Sequence, residues 1–276
     1  RQGKPGSQRQ TEHYSHNGGT NMSILDRIAD GWRKYRKPGY YDEFDYHWGM
    51  TVDLDRCTGC EACVTACQSE NNLPIVGEKA FAEGREVKWI RIERYWEGEF
   101  PDVKLRFIPM LCQHCDSAPC ETVCPVSATY HNQDGLNTQV YNRCIGTRSC
   151  AVYCPYEVRY FNFYDHHWDS PLDQQLNPDV TVREKGVMEK CTFCIQRIRQ
   201  AKDVAKDDGR RRVRDGEVQP ACVQTCPTQA LVFGDRKDPE SQVSKLMNNP
   251  RSYRVLDELN TDSSVVYLKK VEDDHA

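Results

Sequence analysis

The chain has 276 residues, 37 basic against 41 acidic for a formal net charge of -4, and a mean hydropathy of -0.78. The near-balance of charge gives no ground for a nucleic-acid partner, and no apolar stretch approaches the roughly 18 residues that cross a bilayer, so work at a membrane needs an anchor from another subunit. The outlying number is 15 cysteines, an odd count gathered in clumps, which fits convergence on common centres and not disulfides that tie distant loops together.

Residues 1–21 are polar and Gly/Ser-rich and read as a disordered arm; the first residue is Arg, so the chain reads as processed or as a piece of a longer product, with Met22 as an internal start. The opening residues lack the charged-then-apolar pattern of a signal peptide. Next comes Cys57, Cys60, Cys63 and Cys67, spaced C-x2-C-x2-C-x3-C. Three thiolates at that spacing come from one tight loop and grip three irons of one cubane, while the fourth is carried by a short helix to a different cluster, as in two-cluster ferredoxins.

Residues 87–96 and 103–108 alternate apolar and polar positions around Gly98 and Pro101, which predicts a β-hairpin. Trp89, Tyr95 and Trp96 are expected to pack over its core. Cys112, Cys115, Cys120 and Cys124 follow as C-x2-C-x4-C-x3-C-P, the same device with a looser loop. The third group, RCIGTRSCAVYCPY, holds Cys144, Cys150 and Cys154 but has Thr147 where the pattern wants cysteine. Residues 165–185 contain Pro171 and Pro178 and few periodic apolar positions, and read as a surface excursion.

Cys191 and Cys194 open the fourth group, residues 195–206 are rich in helix formers and end near Gly209, and Cys222 and Cys226 close the group. Residues 265–268 read as a last short strand. Pro125, Pro155 and Pro227 each follow the last cysteine of a group, where a residue without an N–H helps seal a cluster edge. Structural zinc uses two separated ligand pairs, which triplets closed by Cys-Pro do not resemble. The repeated groups point to a duplicated small unit.

The ferredoxin rule then pairs distant groups. The expected sets are Cys57, Cys60, Cys63 and Cys226; Cys67, Cys191, Cys194 and Cys222; Cys112, Cys115, Cys120 and Cys154; and Cys124, Cys144 and Cys150. The first three sets predict three 4Fe–4S clusters. The last has three thiols and suits a 3Fe–4S cluster; the other reading lets the Thr147 oxygen or a water complete a cube, but neutral hydroxyls are poor ligands for soft iron–sulfur centres. The expected fold is α+β, with two ferredoxin-like lobes. Residues 1–47 are an N-terminal arm, 48–110 plus 186–235 the lobe of sets one and two, 111–165 the lobe of sets three and four, 166–185 a surface loop and 236–276 a C-terminal extension.

On DLDRCTGCEACVTACQSENNLPIVG (53–77), VYNRCIGTRSCAVYCPYEVRYFNF (140–163) and Cys226-Pro227, the chain resembles the four-cluster ferredoxin subunits of complex iron–sulfur molybdoenzymes over residues 48–233. The likeness is strongest to the iron–sulfur part of alternative complex III, a quinol-oxidising respiratory complex, and nearly as good to a menaquinone-linked periplasmic quinone reductase complex. Nitrate reductase beta subunits lose the same cysteine to Trp, so Gly146-Thr147-Arg148 points to the alternative complex III side. The resemblance implies an electron path towards a cytochrome c or oxidase, with set four nearest the membrane subunit. It implies an integral membrane quinol-binding subunit, a multihaem cytochrome c subunit and a molybdopterin-enzyme-like large subunit as partners. It also implies a peripheral position on the periplasmic face of the bacterial inner membrane, with export in the folded state.

Other residues carry two readings each. The basic run of Arg210, Arg211, Arg212 and Arg214 is a solvated loop or a docking surface. Arg143, Arg148 and Arg159 raise the potential of the fourth cluster or form surface salt bridges. His166 and His167 are a polar surface feature or a haem or quinone contact. Glu70-Asn71-Asn72 matches the family but suggests no chemistry, and no catalytic residue is expected, because no Ser/His/Asp set, phosphate loop or carboxylate pair is legible.

Overall fold

The computed structural model describes residues 40–271; the arm expected over 1–21, and Met22, lie outside them. In chain order the strands are β1 (Trp48–Asp53), β2 (Ile90–Glu97), β3 (Lys104–Leu111), β4 (Thr129–His131), β5 (Asn137–Gln139), β6 (Tyr160–Phe161), β7 (Met188–Glu189), β8 (Leu231–Asp235), β9 (Ser252–Tyr253) and β10 (Val265–Leu268). The helices are α1 (Ala62–Glu70), α2 (Gly77–Ala82), α3 (Pro119–Thr122), α4 (Ser149–Val152), α5 (Ile195–Asp207), α6 (Ala221–Thr225) and α7 (Gln242–Met247). Helix and strand are mixed throughout, as the α+β expectation has it.

The main sheet runs β8-β1-β10-β9. β1 is buried along almost its whole length because it is central, antiparallel to β8 and parallel to β10. Its Trp48 stacks between Tyr46 at 4.8 Å and Phe233 at 5.4 Å. The strand at 265–268 therefore enters the middle of the sheet, and Tyr267 sends its hydroxyl to the Pro109 carbonyl at 2.8 Å, joining the sheet to the hairpin. Residues 40–47 are also part of the body: Tyr41 stacks on His47 at 3.8 Å, and Lys237 Nζ donates to the Tyr41 carbonyl at 2.5 Å.

The expected hairpin is present, with β2 and β3 paired from Ile90↔Leu111 to Glu97↔Lys104. Burial alternates at Ile90 and Ile92, then stops. Trp89 is buried as expected, but Tyr95 and Trp96 are not: Trp96 is 71% exposed, because the outer half of the hairpin extends beyond the body and has nothing to cover it. The predicted helix over 195–206 is α5, and it stops before Gly209, whose φ of 71° is left-handed.

The excursion over 165–185 is held at both ends. β6 and β7 pair at its base. Midway, Asn72 Nδ2 donates to the carbonyls of Asn177 at 2.9 Å and Val180 at 2.7 Å. Arg183 is buried in an ion pair with Glu189 at 3.0 Å and lies over the Trp89 ring. The basic run is largely neutralised within the chain, since Arg210 pairs with Asp208 and Glu217, Arg211 with Asp45 and Arg212 with Asp235.

Candidate functional site

All fifteen cysteines are free thiols. Among the described residues no three His, Cys, Asp or Glu groups converge as the ligands of one ion would. The cysteines instead influence one another through burial and the fields of nearby sulfurs. Burial, then the sulfurs of Cys57, Cys226 and Cys60, push the Cys63 thiol up to about 12. Burial, then Cys191, Cys194 and Cys222, push Cys67 well up. Cys115 is pushed up by burial and then by Cys112 and Cys120, with Cys154 adding to the effect. Cys150 is raised by burial, with Cys144 and Cys124 as its sulfur neighbours.

Cys222 of the second set feels Cys63 of the first, and Cys191 of the second feels Cys112 of the third. Arg159 lies in the field of Cys120, Cys112 and Cys154 of the third set and of Cys150 of the fourth. Every thiol of the two inner sets is buried, while Cys57, Cys60 and Cys226 at one end and Cys124 and Cys144 at the other are partly or fully open.

Short helices produce this arrangement. α1 packs on α6, and α3 on α4. Cys63 and Cys67 sit four residues apart on α1, one turn along the same face, so neighbouring thiols serve neighbouring sets. The pairs Cys222/Cys226, Cys120/Cys124 and Cys150/Cys154 have the same spacing. After each Cys-Pro the chain turns through a left-handed residue, Ser127 at φ 47°, Glu157 at 51° and Gln229 at 52°. That turn aims the next N–H back at sulfur: Ala128 donates to Cys124 Sγ at 3.2 Å and Ala230 to Cys226 Sγ at 3.2 Å, and the Val158 N–H bonds to Cys154. Burial pushes the Cys226 thiol up, yet the N–H groups of Ala230, Leu231 and Thr228 and the Thr228 hydroxyl hold it below its ordinary value.

Cys67 has no proline behind it. There Asn71 Nδ2 donates to Cys67 Sγ at 3.5 Å and to Cys194 Sγ at 3.8 Å. Glu70 is ion-paired to Arg197 at 2.6 Å. Glu70, Asn71 and Asn72 thus respectively brace α5, solvate two thiols and pin the excursion, roles that no spacing rule contains. Between the inner sets, His114 stacks on Phe193 at 3.9 Å, each from the middle of its own C-x2-C loop. Lys190 is fully buried with Nζ on the Cys191 carbonyl at 2.8 Å. His166 Nε2 bonds to Asn162 Oδ1 at 2.9 Å, and His167 is exposed.

The loops of the first and third groups repeat each other in backbone. Gly59 and Gly146 have φ of 69° and 70°, and Glu61 and Arg148 both have 61°. Thr147 thus stands in the turn where Cys60 stands. A Cβ on Gly59 would run into the Phe107 ring of β3, whereas one on Gly84, at φ 67°, would meet nothing within 4 Å. Gly84→Ala should therefore show only the left-handed strain of about 1–2 kcal/mol, and Gly59→Ala a larger loss together with weaker filling of the first set. Anaerobic thermal unfolding with iron analysis measures both; equal losses would remove the Phe107 contact from the account.

Soft thiols in sets, with N–H groups directed at sulfur, suit iron–sulfur clusters. Two models described as 4Fe-4S dicluster domain match the chain, one over residues 56–128 and one over 103–169. The chain is 43% identical over 239 residues to the iron-sulfur cluster-binding subunit of menaquinone reductase from Nitratidesulfovibrio vulgaris, covering 84% of this chain and 92% of that one. It is 38% identical over 244 residues to the Hdr-like menaquinol oxidoreductase iron-sulfur subunit 1 of Archaeoglobus fulgidus, covering 80% and 83% of the two chains. It is 33% identical over 249 residues to the iron-sulfur subunit of the arsenate respiratory reductase of a Shewanella species, covering 80% and 95%.

Proposed function

Because the chain belongs to the 4Fe-4S dicluster family of iron–sulfur subunits that these reductases share, we propose that it is the electron-transfer subunit of a membrane-bound, quinol-oxidising respiratory complex of the alternative complex III type. In this reading 48–110 plus 186–235 is the lobe of sets one and two, and 111–165 that of sets three and four. Cys57, Cys60, Cys63 and Cys226, then Cys67, Cys191, Cys194 and Cys222, then Cys112, Cys115, Cys120 and Cys154 would each hold a 4Fe–4S cluster. Cys124, Cys144 and Cys150 would hold a 3Fe–4S cluster. Clusters bound there would supply one-electron carriers.

The observation that carries the reading is that every thiol of the two expected inner sets is buried, while both expected outer sets have thiols partly or fully open to solvent. The two ends differ. Near set four, Ile145, Val152 and Tyr153 are 65%, 81% and 59% exposed beside exposed Asn142, Arg143, Thr147 and Arg148, and the apolar part of that rim suits burial against a membrane protein. Exposed Asp55, Arg56, Thr58 and Glu61 surround set one and suit a water-facing partner such as a cytochrome. No helix among the described residues is long and apolar enough to cross a membrane, so this reading holds the chain peripherally, on the periplasmic face, next to a quinol-binding membrane protein. The chain's residues hold the thiols, aim N–H groups at sulfur and exclude water; quinol protons are handled next door.

Thr147→Cys tests the assignment of set four. The native chain should hold about fifteen irons, from three cubanes and one three-iron cluster, and the variant about sixteen, with loss of the oxidised three-iron EPR resonance and a lower potential. A signal that persists unchanged would remove Thr147 from the vacant corner. A second reading rests on the relative named as part of a menaquinone reductase, with electrons running towards quinone, or makes the chain the beta subunit of a molybdopterin reductase. Haem c without molybdenum in the co-purifying complex supports the first reading, and molybdopterin in the large subunit the second.

A further inference from the structure

Arg159 is 6% exposed and sits between the third and fourth cysteine sets. Its Nη2 donates to Thr129 Oγ1 at 2.8 Å and to Asn137 Oδ1 at 2.7 Å, and its Nη1 to Gln139 Oε1 at 3.0 Å. All three acceptors are neutral, and among the described residues no carboxylate pairs with it. The guanidinium also reaches the sulfur of Cys150. An arginine is always charged, and a buried charge without a counter-charge is strongly unfavourable. The groups that face it instead are the sulfurs of Cys120, Cys112, Cys154 and Cys150, which carry negative charge once they ligate iron.

The duplicated half of the chain provides an internal comparison. Cys154-Pro155 and Cys226-Pro227 lead into the same left-handed turn and the same N–H bond to sulfur, at Val158 and Ala230. The next residue is Arg159 in one half and Leu231, buried and apolar, in the other. The helix-and-turn device is repeated, but the arginine at that position is not; the buried cation of the other half, Lys190, lies beside Cys191 alone of its set and holds the Cys191 carbonyl.

We propose that Arg159 is the shared counter-ion of sets three and four, a positioning residue that raises the reduction potentials of that half of the path relative to the half built around Leu231. The inference rests on the reading that those sets hold iron–sulfur clusters. A fixed positive charge in a dry interior stabilises the reduced, more negative state of whatever it faces, and it does so far more strongly than the solvated Arg143 and Arg148 can. Because one side chain faces both sets, their potentials should move together.

The test is a redox titration followed by EPR on the intact complex, native and with Arg159→Gln or Arg159→Lys, with iron and acid-labile sulfide counted per chain. In Arg159→Gln the reduction equilibria of sets three and four should each fall about tenfold, which is about 59 mV for one electron, while sets one and two stay at their native values. Arg159→Lys, which keeps the charge, should recover most of the shift. Iron lost from sets three and four in the Gln variant but kept in the Lys variant also supports the proposal, because charge alone separates the two. Unchanged potentials at full iron content, equal shifts at all four sets, a Lys variant that behaves like Gln, or iron loss in both would overturn it. If native protein lacks clusters in sets three and four, the reading of the sites fails first, and the native iron count reveals that separately.

Discussion

Cys150→Ala in the intact complex should stop anaerobic quinol from reducing the first three sets. Set four has only three thiols, and Cys150 is its buried one, beside Arg159 and in the field of Cys124 and Cys144. Two remaining thiols, both partly open to solvent, cannot hold a three-iron cluster, so the carrier nearest the apolar rim is lost while the other twelve cysteines are untouched. A strong soluble reductant should still reduce sets one to three, because set one opens on the far, polar end. The expected result is loss of quinol-driven reduction with dithionite-driven reduction retained. Reduction of the other sets by quinol at the native rate would place the point where electrons enter elsewhere and break the path as drawn.

Cys226→Ser should abolish or convert the cluster of Cys57, Cys60 and Cys63 while leaving that of Cys191 and Cys194 intact. The pairing depends on α6, which brings Cys222 to one set and releases Cys226, one turn later, to the other. The Ala230 N–H and the Thr228 hydroxyl are aimed at that sulfur, so the site favours a thiolate and a serine oxygen substitutes badly for it. Iron should fall by about one cluster per chain in the strongest case, and the missing EPR signal should be that of set one. The opposite pattern, with set two damaged, would mean that each group's last cysteine serves its own group.

The part of the site legible in the chain is the part encoded by short spacing. C-x2-C loops, the i, i+4 pairs on helices and the Cys-Pro turns are local, and ferredoxin-type sharing gives an expected partner for each group from order alone. α5 and the β2–β3 hairpin were legible for the same reason, since helix formers and alternation act over a few residues. Tyr95 and Trp96 were not, because alternation describes which face of a strand a residue takes and not whether anything lies against that face.

Thus the clustered cysteine groups, their iron–sulfur character and the α+β character were determined by the sequence itself, through ligand chemistry that needs particular atoms at particular separations. Only the tertiary structure decided the rest. It put β10 beside β1, a parallel pairing between segments more than 200 residues apart. It turned Glu70, Asn71 and Asn72 into a brace, a thiol donor and a pin for residues 177–180, and it separated Arg159 from Arg143 and Arg148 by burial alone. The reason is physical: an arginine or asparagine has the same donors everywhere, and what it does depends on which groups packing leaves within its reach and how much water packing removes from between them.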